Sequence, residues 1–273
     1  MTGNIVIATF YHFAPFHDYK EKQPKWLKFC KDKDLKGTIL VASEGINSTI
    51  SGTRENIDAL LSMIKSDERF SDMGWKESYA DFQPFERMKV RLKEEIVRLG
   101  VKDLDIAKKG EYISAEEWDG FISRDDVITI DTRNDYEVKI GTFDGAVNPN
   151  TKNFREFPRW FDDNFKHLNK KQKIAMFCTG GIRCEKSTSY LKNLGFDNVY
   201  HLEGGILKYL EETNNKNKKW LGECFVFDDR VAVSDNLDPT GAIPCEDCGA
   251  TVTTDDLRLS PPDQVLCQNC IEK

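Results

Sequence analysis

No stretch of the 273 residues stays apolar for the roughly 18 to 20 positions that a helix needs to cross a bilayer, which excludes a membrane-spanning helix and a membrane partner. The first residues, MTGNIVIATFYHF, lack the basic stretch, apolar run and cleavage site of a secretory signal, so a cytoplasmic protein is expected. Histidine is scarce: His12, His17, His167 and His201 are widely spaced, and no two suit an iron site of two histidines and a carboxylate. No G-x-G-x-x-G run joins a strand to a helix, and no haem motif occurs. Flavin, nicotinamide and haem are therefore not expected as cofactors.

Charge is also short of what a polyanion-binding surface would suggest. The net charge is −7, and it is uneven: residues 1–110 hold 19 basic and 17 acidic groups, 111–215 hold 14 and 18, and 216–273 hold 6 and 11. Any nucleic acid must dock on a local basic patch, not on the whole surface.

Cysteine, by contrast, is plentiful, with eight in the chain. Four of them form two C-x-x-C pairs, and without a signal for export these read as reduced thiols with assigned roles, not as disulfide staples. Cys245-x-x-Cys248 and Cys267-x-x-Cys270 are separated by 18 residues. Two knuckles at this spacing bring four thiolates into one tetrahedron, the arrangement of a closed structural zinc site. The surrounding stretch is too poor in apolar residues for a core of its own, so it needs a metal or a neighbouring domain. Cys30 and Cys224 are expected to be packing residues.

Periodicity divides the chain into three. Residues 1–104 read β-α-β-β-α-β, which predicts a ferredoxin-like α+β domain, with Thr53 as the N-cap of its second helix. Residues 114–213 alternate strands and helices, which predicts an open parallel α/β sheet with its site at the strand C-termini. Residues 214–273 form the cysteine-bearing segment.

In the central domain the apolar strand KIAMF runs into CTGGIRCEK and then a helix over STSYLKNLG. A turn built of Thr179, Gly180, Gly181 and Ile182 ahead of a helix presents backbone N–H groups to an anion. Arg183 adds a cation, and both effects lower the thiol of Cys178 below its free value near 8.5. A free cysteine after a strand is commonly only a small buried hydrophobe. The paired glycines, the arginine, the helix start and a second cysteine, Cys184, together favour a nucleophilic sulfur.

This loop resembles that of the rhodanese family, Cys-x-x-Gly-x-Arg followed by Ser or Thr, matching at Cys178, Gly181 and Arg183 and departing at Cys184. IDTRNDYEVKIGTFDGAVNPN and HLEGGILKYL are similar to the family's Asp-x-Arg and closing Gly-Gly segments. With ASEGINSTISG, KVRLKEEIV and GECFVFDDRVAV, nearly the whole chain resembles the bacterial rhodanese-like tRNA uridine hydroxylases. That resemblance implies an acylphosphatase-like N-terminal domain, a rhodanese-like central domain and oxygen-dependent 5-hydroxylation of the wobble uridine. Molecular oxygen is then the co-substrate and the tRNA anticodon region the partner; DNA is not expected. Cys178 matches the reactive or persulfidated position, Arg183 would hold the anion, and Cys184 would resolve an oxidised Cys178 as a disulfide.

Two other readings stay open: a sulfurtransferase carrying a persulfide on Cys178, and a zinc-stabilised RNA-binding module whose rhodanese domain is inert. Asp131 and Arg133 suit support of the fold better than chemistry. For RNA the candidates are Lys89, Arg91 and Lys93 on one strand face, Arg155, Arg159 and Trp160 before the loop strand, and Lys216, Lys218 and Lys219 in a connector. For the strand, a solvated face is the plain alternative. Lys186 is either a phosphate contact or, by preference, a charge on the helix surface.

Overall fold

The computed structural model describes residues 5–213, 219–260 and 263–272. The chain divides into two compact units, 1–98 and 99–273, each with its own core.

In the first unit the elements are β1 (Ile5–Phe13), α1 (Tyr19–Asp32), β2 (Lys36–Ala42), β3 (Gly45–Gly52), α2 (Arg54–Lys65), β4 (Trp75–Ala80) and β5 (Met88–Leu92). The sheet order β4-β1-β3-β2-β5 is the ferredoxin-like arrangement read from the sequence, with β5 added parallel to β2. Alternation along β1 and β2 sends Val6, Ala8, Phe10, Ile39 and Val41 into one core. Trp26 and Cys30, four apart on α1, and Ile57, Leu60, Leu61 and Ile64 on α2 cover it. Thr53 caps α2, accepting from the Asn56 amide at 3.4 Å. Cys30 is fully buried, and burial pushes its thiol up to about 12, as suits a packing residue.

The second unit contains β6 (Glu111–Ile113), α3 (Ala115–Ile122), β7 (Val127–Asp131), α4 (Asp135–Val138), β8 (Gly141–Phe143), α5 (Phe157–Phe165), β9 (Lys173–Phe177), α6 (Ile182–Asn193), β10 (Val199–Leu202) and α7 (Gly205–Glu212). Its four-stranded sheet, ordered β6-β10-β9-β7, is wholly parallel. A parallel sheet is covered on both faces, which is why VITI and KIAMF are continuous apolar runs. Ser114 caps α3, accepting from the Glu117 amide at 3.3 Å.

The C-terminal stretch adds β11 (Trp220–Gly222), β12 (Cys224–Phe225), β13 (Ala232–Val233), β14 (Ile243–Pro244), β15 (Thr251–Val252), α8 (Thr254–Leu257) and α9 (Gln268–Ile271). β11 pairs antiparallel with β8, 77 positions earlier at Trp220↔Phe143. Trp220, Cys224, Val226 and Val233 join the core formed by Trp118, Phe143, Phe177 and Tyr209. The segment thus borrows its first half from the neighbouring domain. Its second half closes a small cluster of Cys245, Val252 and Cys267. Among the described residues, no helix is long and apolar enough to cross a membrane.

Candidate active site and metal centre

Cys178 follows the last residue of β9, fully buried, at the C-terminal edge of the parallel sheet. The helix after it begins earlier than its polar sequence suggests: Ile182, Arg183 and Cys184 belong to the first turn of α6, with Gly181 as N-cap at φ +98°. Only Thr179, Gly180 and Gly181 remain as loop, which corrects the placement of Ile182, Arg183 and Cys184 in the turn ahead of the helix. The short loop tightens the cradle. The Gly181 amide donates to Cys178 Sγ at 3.1 Å, and the amides of Arg183 and Cys184 also point at the sulfur.

Burial alone would push the Cys178 thiol up. The hydrogen bond from the Cys184 thiol, the Arg183 charge and the two helix-start amides outweigh it and bring Cys178 down to about 6. At neutral pH the sulfur is mostly thiolate. Cys184 titrates oppositely: burial and its bond to Cys178 hold its thiol well above the ordinary value. Its Sγ also lies 3.7 Å from Thr132 Oγ1. One cysteine holds the negative charge and the other holds the proton.

Arg183 does not rest on the sulfur through its guanidinium. Nη1 and Nη2 fork onto Glu137 Oε2 and Oε1 at 2.7 and 2.6 Å, both side chains being buried. Glu137 is the functional residue that spacing did not single out. Asn134 and Glu137 form the capping box of α4, and the Asn134 amide donates to Oε2 at 3.1 Å. Thr179 Oγ1 reaches Oε1 at 3.3 Å. Burial pushes the Glu137 carboxyl up, but Arg183, and then Arg133, hold it below the usual carboxylate range. The Asn-x-x-Glu pattern was visible in NDYEV; its partner, 46 positions away, was not.

Asp131 and Arg133 form a second buried pair at 2.7 Å. Arg133 also donates to the Gly141 carbonyl at 2.5 Å, and Thr142 Oγ1 donates to Asp131 at 2.9 Å. The guanidinium sits 5.3 Å from the Trp220 ring centre. These contacts lock the β7–β8 connection and touch nothing of the thiol. Gly205, at φ +70°, lies so close to the loop that a Cβ would meet the Cys178 carbonyl at 2.5 Å and the Gly181 amide nitrogen at 2.7 Å. Cys224 is fully buried, and burial pushes its thiol up to about 12.

The basic candidates are distributed over both units. Arg91 and Lys93 are exposed and Lys89 half-buried, while Val90 packs inward. The expected alternation stops there, because Leu92 is 47% exposed at the end of the strand. Arg155 and Arg159 are exposed beside the half-buried Trp160, and Arg159 approaches Asp163 at 3.6 Å. Lys186 is not the surface charge preferred from sequence: it is 2% exposed. Next to it on the helix, Thr188 Oγ1 donates to the Cys184 carbonyl at 2.6 Å and Glu185 pairs with Lys109 at 2.8 Å. Lys219 pairs with Asp144 at 3.4 Å; Lys216 and Lys218 lie outside the described residues.

The two C-x-x-C pairs converge. The sulfurs of Cys245, Cys248, Cys267 and Cys270 all lie within 4.8 Å of one another, with Cys248 and Cys267 3.5 Å apart. Four thiolates about 2.3 Å from a tetrahedral zinc sit about 3.8 Å from each other, so the four are positioned to bind a metal. The knuckle is shaped by backbone. The Gly249 amide donates to the Cys245 carbonyl at 2.8 Å, Gly249 takes φ +72°, and the Cys267 amide donates to Cys245 Sγ at 3.3 Å.

The model of the UPF0176 acylphosphatase-like domain matches residues 5–96, and that of the rhodanese-like domain matches residues 114–212. A protein of Wolbachia pipientis wMel named tRNA uridine(34) hydroxylase is 54% identical over 98% of this chain and 96% of its own length. Proteins of the same name from Anaplasma marginale (strain Florida) and Neorickettsia sennetsu are each 48% identical, over 97% of this chain and 96% and 95% of theirs. Domain for domain and nearly end to end, then, this chain belongs to the tRNA uridine(34) hydroxylase family.

Proposed function

We propose that this protein is a tRNA-modifying oxidoreductase that hydroxylates C5 of the wobble uridine, with Cys178 as its reacting thiol. The observation that carries the thiol's role is the cradle at the start of α6. It holds Cys178 near pKa 6 while Cys184, six positions along the chain, keeps its proton. A thiolate held against burial by amides, a neighbouring thiol and a paired arginine is a nucleophile at neutral pH. The family supplies the substrate reading. In the proposed reaction one atom of molecular oxygen enters the C5–H bond and the other leaves as water, with two electrons and two protons from a reductant. In this reading Cys184 would resolve an oxidised Cys178 as a disulfide, which is supported by its being near enough to lower that thiol's pKa.

Three regions share the work in this reading: residues 1–104 as the acylphosphatase-like domain, 114–213 as the catalytic domain, and 214–273 as a segment carrying zinc on Cys245, Cys248, Cys267 and Cys270. Zinc there is structural, because all four positions of the tetrahedron are filled by thiolates and none is left for substrate. For the anticodon region the candidates are, in the first unit, the exposed Arg91 and Lys93 with Lys89 on the strand of Arg91, and, in the second unit taken by itself, the exposed Arg155 and Arg159; the protein would act in the cytoplasm. Lys186 remains a phosphate contact in this proposal only where RNA reaches a side chain now buried.

Nucleoside mass spectrometry of tRNA tests the function directly. Cells lacking the gene, and cells carrying only Cys178→Ala, should lose 5-hydroxyuridine and the 5-alkoxyuridines made from it. Unchanged levels in both would overturn the reading. In that event a sulfur added to Cys178 by thiosulfate, seen as a mass increase on the intact protein, would mark a sulfurtransferase instead.

A further inference from the structure

The motif GECFVFDDRVAV has no part in the chemistry described so far, yet it ends beside the catalytic loop. β12 and the residue after it send Cys224 and Val226 into the core. With the two-residue alternation of a strand, Phe225 and Phe227 face the other way, Phe227 being 58% exposed. Their rings meet at 5.1 Å, edge to face. Tyr136, from α4, joins them at 5.2 Å from Phe225 and is itself 37% exposed. Three aromatic side chains from segments some 90 positions apart therefore share one exposed patch.

Arg183 connects the patch to the sulfur. Its backbone amide points at Cys178 Sγ, while its guanidinium lies 5.9 Å from the Phe227 ring centre. The turn that carries Phe227 is fixed from within. Arg230 forks onto Asp228 at 2.7 and 2.6 Å, with both side chains nearly fully buried. The Val226 amide bonds to the Val231 carbonyl at 2.9 Å. A rigid turn presenting apolar rings to water gains nothing from burial. Next to the arginine of the thiol's own turn, it has the makeup of a stacking platform for an unpaired base.

We propose that Phe227, with Phe225 and Tyr136, is the surface on which the target pyrimidine, or the base beside it, stacks when the uridine reaches Cys178. The proposal rests on the reading that RNA is the substrate. It makes these three residues positioning groups: they hold a base by its face and take no part in moving protons or electrons. A merely structural alternative is that Phe227 only shields the Arg183–Glu137 pair from water.

Binding of two short anticodon stem-loop RNAs separates these possibilities, one with uridine at the wobble position and the flanking base intact, the other abasic at both. The full-length protein should bind the intact RNA roughly ten-fold or more tighter than the abasic one, as expected when a base stacks on an aromatic side chain. Phe227→Leu, which keeps apolar bulk over Arg183 but removes the ring, should bind both RNAs alike. Phe227→Trp should restore the difference. Leu221→Ala, at an exposed apolar site away from the platform, should leave it unchanged. Equal discrimination by the parent and Phe227→Leu would overturn the platform. Failure of the parent to make 5-hydroxyuridine while still discriminating the two RNAs would instead count against the hydroxylase reading and leave the platform standing. A parent that binds neither RNA would overturn both.

Discussion

The sulfur of Cys178 gains its charge from neighbours that are themselves paired. Arg183 serves two anions at once, Glu137 through its fork and Cys178 through its field and its amide. Thiolate absorbance should therefore appear as pH rises through about 6, and the change should vanish in Cys178→Ser. Replacing Arg183 by Gln removes a cation, so the anion is less favoured and the midpoint must move upward. The same change strands a buried carboxylate. Urea unfolding should show a loss of about 3–5 kcal/mol, the usual effect of breaking one side of a buried pair. Glu137→Gln/Arg183→Gln should recover most of that stability but keep the raised midpoint, because no charge is then left unpaired and none is left to hold the thiolate. Sequence disclosed the cysteine, the glycines and the arginine because they sit within six positions of each other. Glu137 escaped because spacing along the chain carries no sign of a partner 46 positions on.

At the scale of an element, α6 and the loop before it act as one piece. Its stretch RCEKSTSY has no apolar stripe, so hydrophobic periodicity put its start after Cys184; in fact Arg183 through Leu191 are all buried. Polar residues inside a fold are tolerated when each finds a partner, and the Glu185–Lys109 and Tyr190–Asp162 contacts supply examples. The strands were easier to read, since a wholly covered parallel sheet makes each an apolar run. The loop's shape depends on the Gly-Gly turn that starts α7. Gly205→Ala would drive a methyl group into three backbone atoms of residues 178 to 181 at 2.5–2.7 Å, at a φ that disfavours any Cβ. Hydroxylation should fall by at least ten-fold and the melting temperature should drop by several degrees, about the response to 1 kcal/mol or more in a domain this size. Gly180→Ala is the contrasting case. A Cβ there meets nothing within 4 Å, so melting should be nearly unchanged, as differential scanning calorimetry would show.

For the molecule as a whole, composition anticipated a C-terminal stretch unable to fold unaided: its first half shares packing with the neighbouring domain, and its second brings together four cysteines positioned to bind a metal. The purified protein should contain about one zinc ion per chain by metal analysis. Cys245→Ser should lose it, and limited proteolysis should then cut between β13 and the C-terminus while residues 5–213 stay intact. Retention of a full zinc complement by that variant would rule out the four-cysteine site. The pairing of β11 with β8 was not legible, because a three-residue strand carries too little pattern to reveal a partner 77 positions away.

Trp220 stands beyond the end of the rhodanese-like match, yet it lies over Arg133 and completes the aromatic core around Phe143. Loss of so large a buried ring removes about 3–5 kcal/mol, a large part of the 5–15 kcal/mol that keeps a domain folded. The match boundary at residue 212 is thus not a folding boundary: a rhodanese-like domain cut there would lack the strand that carries this indole.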